Sequence, residues 1–409
     1  MSRPRLLFVS PRFLFPMDQG GKIRTGNILR GLKGGAFEVT LASPAPVDQA
    51  RYAEETAAAC DRFVWWPEAA ASRVRRVMAL ASRLPVAAAT DRSAAGSAVV
   101  RAALAERPDV VVVDFPHADV LMPARIEAAS VMFTHNVEAE IFERHVARAA
   151  GLWRLVWADQ SRKMTRLEQA SLARYDSVVA VSERDRDALA KRYGLGSVAA
   201  IDTGVDLDFF AMSPPDAAPD PGADGGTLVF TATMSWAANV DGIHFLLDEV
   251  FPLLLRVRPR VRAVIIGRNP PAALSEKIRE RGLAVTLTGF VEDIRPYVAA
   301  ANVYVIPLFV GSGTRIKAFE AMAMGRPVVS TSLGIEGLDV TDGKNFVRAD
   351  DAAAFARAIL ALLDDAALRV RIAGAARRLM EERFSWSRVA QQFEAICLRT
   401  LERGRAGEA

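Results

Sequence analysis

The strongest constraint in this chain is an alternation. Short runs rich in Val, Ile and Leu recur between longer stretches whose apolar residues lie three and four apart. That is the pattern of βαβ units around parallel sheets. In the first half the runs fall near 6–10, 38–42, 110–114, 131–135 and 178–181. In the second they fall near 227–231, 261–267, 285–288, 303–307 and 328–331. Runs such as VVVVD at 110–114 are apolar on both sides, as strands covered on both faces must be.

The alternation is interrupted once. Residues 213–226, SPPDAAPDPGADGG, hold Pro, Asp, Ala and Gly that cannot bury apolar area, so they read as a linker. A chain of 409 residues exceeds one ordinary core. The expected organisation is therefore a domain over 1–212, the linker, a second domain over 227–385, and a helical tail over 386–409. The tail either packs back on the first domain or stands as a plain terminal helix. Two doubly wound parallel sheets joined this way place a cleft between the carboxyl ends of their strands, where such sheets bind ligands.

Bulk properties exclude several classes. A net charge of +4 is too small for this length to indicate a nucleic-acid partner. Two distant cysteines and four scattered histidines give no metal-like spacing and suit a reduced intracellular protein. The opening MSRPRLLFVSPRF lacks a secretory apolar core and cleavage site. No segment approaches about 18 uninterrupted apolar residues. The expected location is the cytoplasm, with a peripheral contact at the inner face of the membrane as a further expectation.

One segment concentrates chemistry. From position 311 the chain reads GSGTRIKAFEAMAMGRPVVS. A strand ends before it, residues 311–314 form a loop, and Ile316, Phe319, Met322 and Ala323 give the next helix an apolar face. Free amides at a helix N-terminus favour a phosphate, and glycine lets the backbone approach it closely. Lys317 and Glu320 share a helix face, so a carboxylate stands ready for the hydroxyls of a ribose beside cations for a diphosphate. The plain alternative is a loop-to-helix turn with a surface Lys–Glu pair.

Residues 320–329, EAMAMGRPVV, resemble the second half of the donor-binding motif of the family 4 retaining glycosyltransferases. These enzymes have the GT-B fold, two Rossmann-like doubly wound domains around an interdomain cleft. The resemblance extends along the chain. VSPRFLFPMDQGGKIRTGNIL is similar to the opening of these enzymes, and FTHNVEAEIFERH to the strand end with their active-site histidine. LTGFVEDIRPYVAAANVYVIPL is similar to the second domain of bacterial members tied to exopolysaccharide and other surface-glycan synthesis.

The resemblance implies a hexosyltransferase-type enzyme that moves a sugar from a nucleotide-diphosphate sugar to a hydroxyl acceptor with retention. The acceptor would be a glycan, a lipid-linked molecule or a small molecule. No cofactor and no metal are expected. Glu320 inherits the ribose-binding role, His135 the active-site histidine, and Gly20, Gly21 and Lys22 the cleft loop of the first domain. Gly311, Ser312, Gly313 and Thr314 are the expected donor loop. His135, Arg315 and Lys317 are the expected catalytic residues. Two departures stand out: Ser312 occupies the place of the family's first motif Glu, and TATMSWAAN lacks the cations usual after the second domain's first strand. Arg315 and Lys317, with Arg268, are expected to supply that charge, since arginine matches phosphate geometry bidentately.

Other residues have two readings. A structural histidine satisfying loop backbone is the alternative for His135. Asp114 and His117 could line the acceptor side or cap a loop. Glu138 and Glu140 read as helix N-terminal charges. Two basic, Trp-bearing stretches suit anionic headgroups: one holds Trp65, Trp66, Arg73, Arg75, Arg76 and Arg83, the other Arg144, Arg148, Trp153, Arg154, Trp157, Arg162, Lys163 and Arg166. Ordinary solvated helix faces are the alternative. Rival functions are a sugar-nucleotide epimerase on the same fold and a non-catalytic binding subunit, the latter motivated by Ser312. A dinucleotide oxidoreductase lacks its G-x-G-x-x-G in either half.

Overall fold

The computed structural model describes residues 3–68, 73–213, 220–222, 225–234, 236–310, 316–336 and 338–408. Two units divide the chain: Met1–Thr203 with Trp386–Ala409, and Gly204–Ser385.

The first unit holds a seven-stranded parallel sheet. Its strands are β1 (Arg5–Val9), β2 (Glu38–Ala45), β3 (Arg62–Pro67), β4 (Val110–Asp114), β5 (Ala129–Phe133), β6 (Ser177–Ala180) and β7 (Val198–Ala200), in the order β3-β2-β1-β4-β5-β6-β7. The second unit holds β8 (Thr227–Thr231), β9 (Arg262–Ile266), β10 (Val285–Gly289), β11 (Val303–Ile306), β12 (Val328–Ser330) and β13 (Val347–Arg348), ordered β10-β9-β8-β11-β12-β13. The order reverses between β1 and β4, and again between β8 and β11. Those are the positions where open α/β sheets accept ligands.

The ten expected strands are present within a residue or two at each end, except that β2 runs on to Ala45, three residues past the expected 42. The three not anticipated, β3, β7 and β13, all lie at sheet edges. β7 and β13 have only three and two residues, too few for the continuous apolar run that marks a central strand, and the tryptophans of β3 read as part of a basic, headgroup-facing stretch. β3 also changes the reading of WWPEAA. Trp66 is buried in the sheet's packing, so close to Gly96 that a Cβ there would meet its ring. It is core rather than a headgroup contact.

Seven helices matter below: α1 (Gly20–Leu32), α2 (Arg73–Leu80), α3 (Glu138–Arg148), α4 (Gly151–Leu172), α5 (Ala237–Phe245), α6 (Ile316–Ala323) and α7 (Trp386–Glu408). The tail helix α7 is part of the first unit. Its buried Val389, Phe393, Ile396, Cys397 and Leu401 repeat at spacings of three and four, and they join Phe8, Val131 and Phe133 in one core. Phe393 meets Phe133 edge-on at 5.1 Å, Glu394 accepts from the Ala36 amide at 2.6 Å, and Thr400 pairs with Ser177 at 2.8 Å. Residues 204–212, expected in the first domain, belong to the second unit. There the Val205 amide donates to Phe384 and the Phe210 carbonyl accepts from Arg377. The expected linker falls largely outside the described residues.

Removing the Phe393 ring leaves a cavity at the centre of the α7 contact. Phe393→Ala is expected to destabilise the first unit by about 3–5 kcal/mol in denaturant unfolding. Val370→Ala, on an exposed helix face, is expected to change stability by less than about 0.5 kcal/mol.

Candidate functional site

Each unit gathers a polar cluster at the carboxyl edge of its own sheet, at the reversal of strand order. In the first unit Asp114 is the last residue of β4 and His135 follows β5 by two residues. Ser10 follows β1, and Arg24 and Thr25 come from the second turn of α1. All five are buried. His135 Nε2 lies 2.6 Å from Asp114 Oδ1, and Asp114 Oδ2 accepts from Ser10 and Thr25 at 3.1 Å each. Arg24 Nη1 stands 3.1 Å from His135 Nδ1, and Nη2 donates to Thr203 at 2.9 Å. A guanidinium can only donate, so Nδ1 is the acceptor and Nε2 carries the proton given to Asp114.

Burial lowers the His135 pKa below its usual value, and Asp114 only partly offsets this. The ring is therefore a neutral hydrogen-bond relay with both nitrogens occupied. Burial also pushes Arg24 down to about 10, against the pull of Asp185 and Asp114. Its Nε is buried with no hydrogen-bond partner among the described residues.

Phe115 closes the cluster. Its ring stacks on His135 at 4.1 Å and on His117 at 5.0 Å, and its backbone sits at φ 71°, a strained value for a residue with a side chain. A Cβ on Gly21 would lie 3.1 Å from this ring and 3.9 Å from His135 Nδ1. Gly21 thus lets α1 begin against the stack. Gly20 opens the same helix but is exposed, and Lys22 turns away to Asp18 at 3.1 Å.

Neighbouring residues support the cluster. His117 pairs with Asp91 at 2.6 Å, as a loop clasp does. Glu138 and Glu140 stand in the first turn of α3, in keeping with helix N-terminal charges. Glu168 was not legible in the sequence. It is fully buried, caps α3 through the amides of Glu138 (2.7 Å) and Ala139 (3.1 Å), and accepts from Tyr193 at 2.6 Å. Burial raises its pKa to about 7.

In the second unit Lys317 and Glu320 stand on α6. The Lys317 ammonium donates to the carbonyl of Thr231 at 2.8 Å and to Asn239 Oδ1 at 3.2 Å, and it lies 4.7 Å above the Phe230 ring. It therefore sits at the end of β8 and the start of α5, in the TATMSWAAN segment that has no cation of its own. This is no surface pair: both residues are half-buried. Burial raises Glu320 to about 7, against the pull of Lys317, and no described side chain donates to its carboxylate. Tyr304's own burial, with the charge of Glu320 beside it, pushes up its hydroxyl, which bonds Thr231 Oγ1. Arg268 follows β9 at the same edge, exposed, with its guanidinium 3.9 Å over Phe290 and no contact to Lys317 or Glu320. Gly311, Ser312, Gly313, Thr314 and Arg315 lie outside the described residues.

Because the folded His135 resists protonation, the unfolded chain binds that proton first as pH falls below about 6.5. This group's contribution to stability is present above that pH and is lost below it. His135→Gln is expected to flatten that part of the pH–stability profile in denaturant unfolding.

Comparison with known proteins follows the same two-unit division. A model described as Glycosyltransferase Family 4 matches residues 19–209, and one described as Glycosyl transferases group 1 matches residues 225–365. A phosphatidyl-myo-inositol mannosyltransferase of Mycobacterium leprae is 32% identical over 216 residues, covering 51% of this chain and 56% of that protein. Such matches span between about a third and just over half of the curated relatives' length. Among solved structures, a sucrose-phosphate synthase of Thermosynechococcus elongatus superposes with a TM-score of 0.67 at 18% identity, covering 98% of this chain and 99% of that one. Anabaena HepE in complex with UDP gives 0.68 at 17% identity, covering 96% and 99%. These likenesses establish the GT-B fold.

Proposed function

The chain belongs to the family 4 glycosyltransferases, and from that premise we propose that it moves a sugar from a nucleotide-diphosphate sugar to a hydroxyl acceptor with retention of configuration. The reading is carried by one observation: Glu320 is a half-buried carboxylate with no described donor, on the same helix face as a cation fixed at the end of β8. Ribose hydroxyls are the donors that would satisfy it. Lys317, Arg315 and the amides of residues 313–314 would meet the diphosphate.

The diphosphate gains charge as the sugar leaves, so donors aimed at it lower the barrier. These cations, rather than a metal ion, are the proposed counter-charge. The leaving phosphate takes the acceptor's proton on the same face, which gives retention without an enzymic nucleophile. Neutral His135, held by Asp114 and Arg24, is the first unit's proposed contribution, a preorganised polar group. HepE, solved with UDP and with UDP-glucose, makes uridine nucleotides the first donors to test. A lipid-linked acceptor, of the kind named in the mannosyltransferase relatives, would put the reaction at a membrane face. Ser312 stands at the position from which the family's first motif Glu contacts the donor sugar, so sugar choice rests on other residues.

A screen of nucleotide sugars for transfer and slow donor hydrolysis tests the reading. Turnover with retained anomeric configuration, seen by proton NMR of the product, is expected. Nucleotide binding with no turnover for any donor would instead favour a binding subunit.

Calorimetry with UDP tests the site itself. Glu320→Gln is expected to weaken binding by about 2 kcal/mol, roughly thirtyfold. The wild-type affinity is expected to rise with pH until the carboxylate, near 7, is ionised, and Glu320→Gln to lose that rise. Lys317→Ala is expected to cost more affinity for UDP than for uridine, because only UDP carries the diphosphate. Equal losses for both would contradict the assignment.

A further inference from the structure

Exposed apolar side chains are unevenly placed on the first unit. Among its described residues eight large ones are exposed, and six of them, Val77, Met78, Leu80, Leu152, Trp153 and Leu155, belong to α2 and the first turns of α4. Five are at least 66% exposed. Lys163 of α4 donates to the Leu80 carbonyl at 2.8 Å, so the end of α2 is tied to α4.

The chemistry around them has one sign. α2 reads RVRRVMAL, with three arginines and no acid. The first acid of α4 is Asp159, and it is paired with Lys163 at 2.6 Å. On α3, which packs along α4 through Phe142 and His145 against Trp157, Glu140 and Glu143 are bound by Arg184 and Arg192. Arg76 and Arg154 stand exposed among the apolar groups.

We propose that α2 and the tip of the α3–α4 hairpin form a docking surface for an anionic lipid bilayer. Two observations select a bilayer over a protein partner. Residues 151–155 are all exposed, so every side of that turn is bare, which suits entry into a fluid interface better than one-faced docking on a rigid surface. Trp153 beside Leu152, Leu155 and unopposed arginines is the composition that partitions to the headgroup boundary. No described helix is long and apolar enough to cross a membrane, so the contact is peripheral. The inference deepens the lipid-linked acceptor reading and rests on it for its purpose. The assay below uses neither donor nor acceptor, so it fails or succeeds independently of sugar transfer.

The test is co-sedimentation of the full chain with vesicles of equal parts phosphatidylglycerol and phosphatidylcholine, and with phosphatidylcholine alone. Binding to the anionic vesicles, weakened by salt, is expected. The double variant Trp153→Glu, Leu155→Glu should lose about tenfold or more in affinity with an unchanged melting temperature. Val47→Glu, on a fully exposed residue elsewhere on the unit, should bind as wild type. Equal binding by the double variant would overturn the proposal, as would equal loss in Val47→Glu. A wild-type dimer that the double variant dissolves, with no vesicle binding, would overturn it in favour of a second copy.

Discussion

A parallel sheet that reverses its strand order leaves two adjacent strands whose following connections depart in opposite directions. No single loop then covers both carboxyl ends, so a polar crevice forms between them. This constraint organises both units. Between β1 and β4 it brings Ser10 to 3.1 Å from Asp114, and between β8 and β11 it brings Tyr304 to Thr231. The clusters around Asp114 and Thr231 are built on those two strand pairs.

The two crevices are finished differently. In the first, both oxygens of Asp114 and both nitrogens of His135 have partners, and the Phe115 ring lies over the pair. A buried network with its acceptors filled is rigid, which is what positioning demands. In the second, Lys317 is anchored but Glu320 has no described donor, and burial alone raises its pKa. A half-buried carboxylate without a donor carries a desolvation cost that Asp114, with its donors, does not. The first crevice is closed by its own partners, and the second keeps an acceptor without a donor among the described residues.

Central strands were legible because burial on both faces writes itself as continuous apolar sequence. The edges β7 and β13 were not, because three and two residues leave no such run, and β3 was not, because its tryptophans beside arginines read as a headgroup surface. Glu320 and His135 were singled out through motifs, since each sits at a fixed offset from a strand. Arg24, Thr25 and Phe115 were not singled out as site residues. Arg24 meets His135 from 111 positions away, and Phe115's strained backbone is a property of the fold rather than of residue type. Glu168 was hidden for the same reason: a carboxylate on one helix caps another 30 residues distant.

Lys317 reaches, from another part of the sequence, the segment in which the resemblance leads one to expect cations. The resemblance leads one to expect cations immediately after the second unit's first strand, and TATMSWAAN has none. Yet the ammonium of Lys317, 86 residues on, donates to the carbonyl that ends that strand and rests on the face of Phe230 within it. A helix residue anchored at both a backbone oxygen and Asn239 loses less freedom on ligand binding than a loop cation would. The same anchoring ties α6, and with it Glu320, to the end of β8. The anchored cation and the carboxylate are thus carried by one helix at the end of one strand.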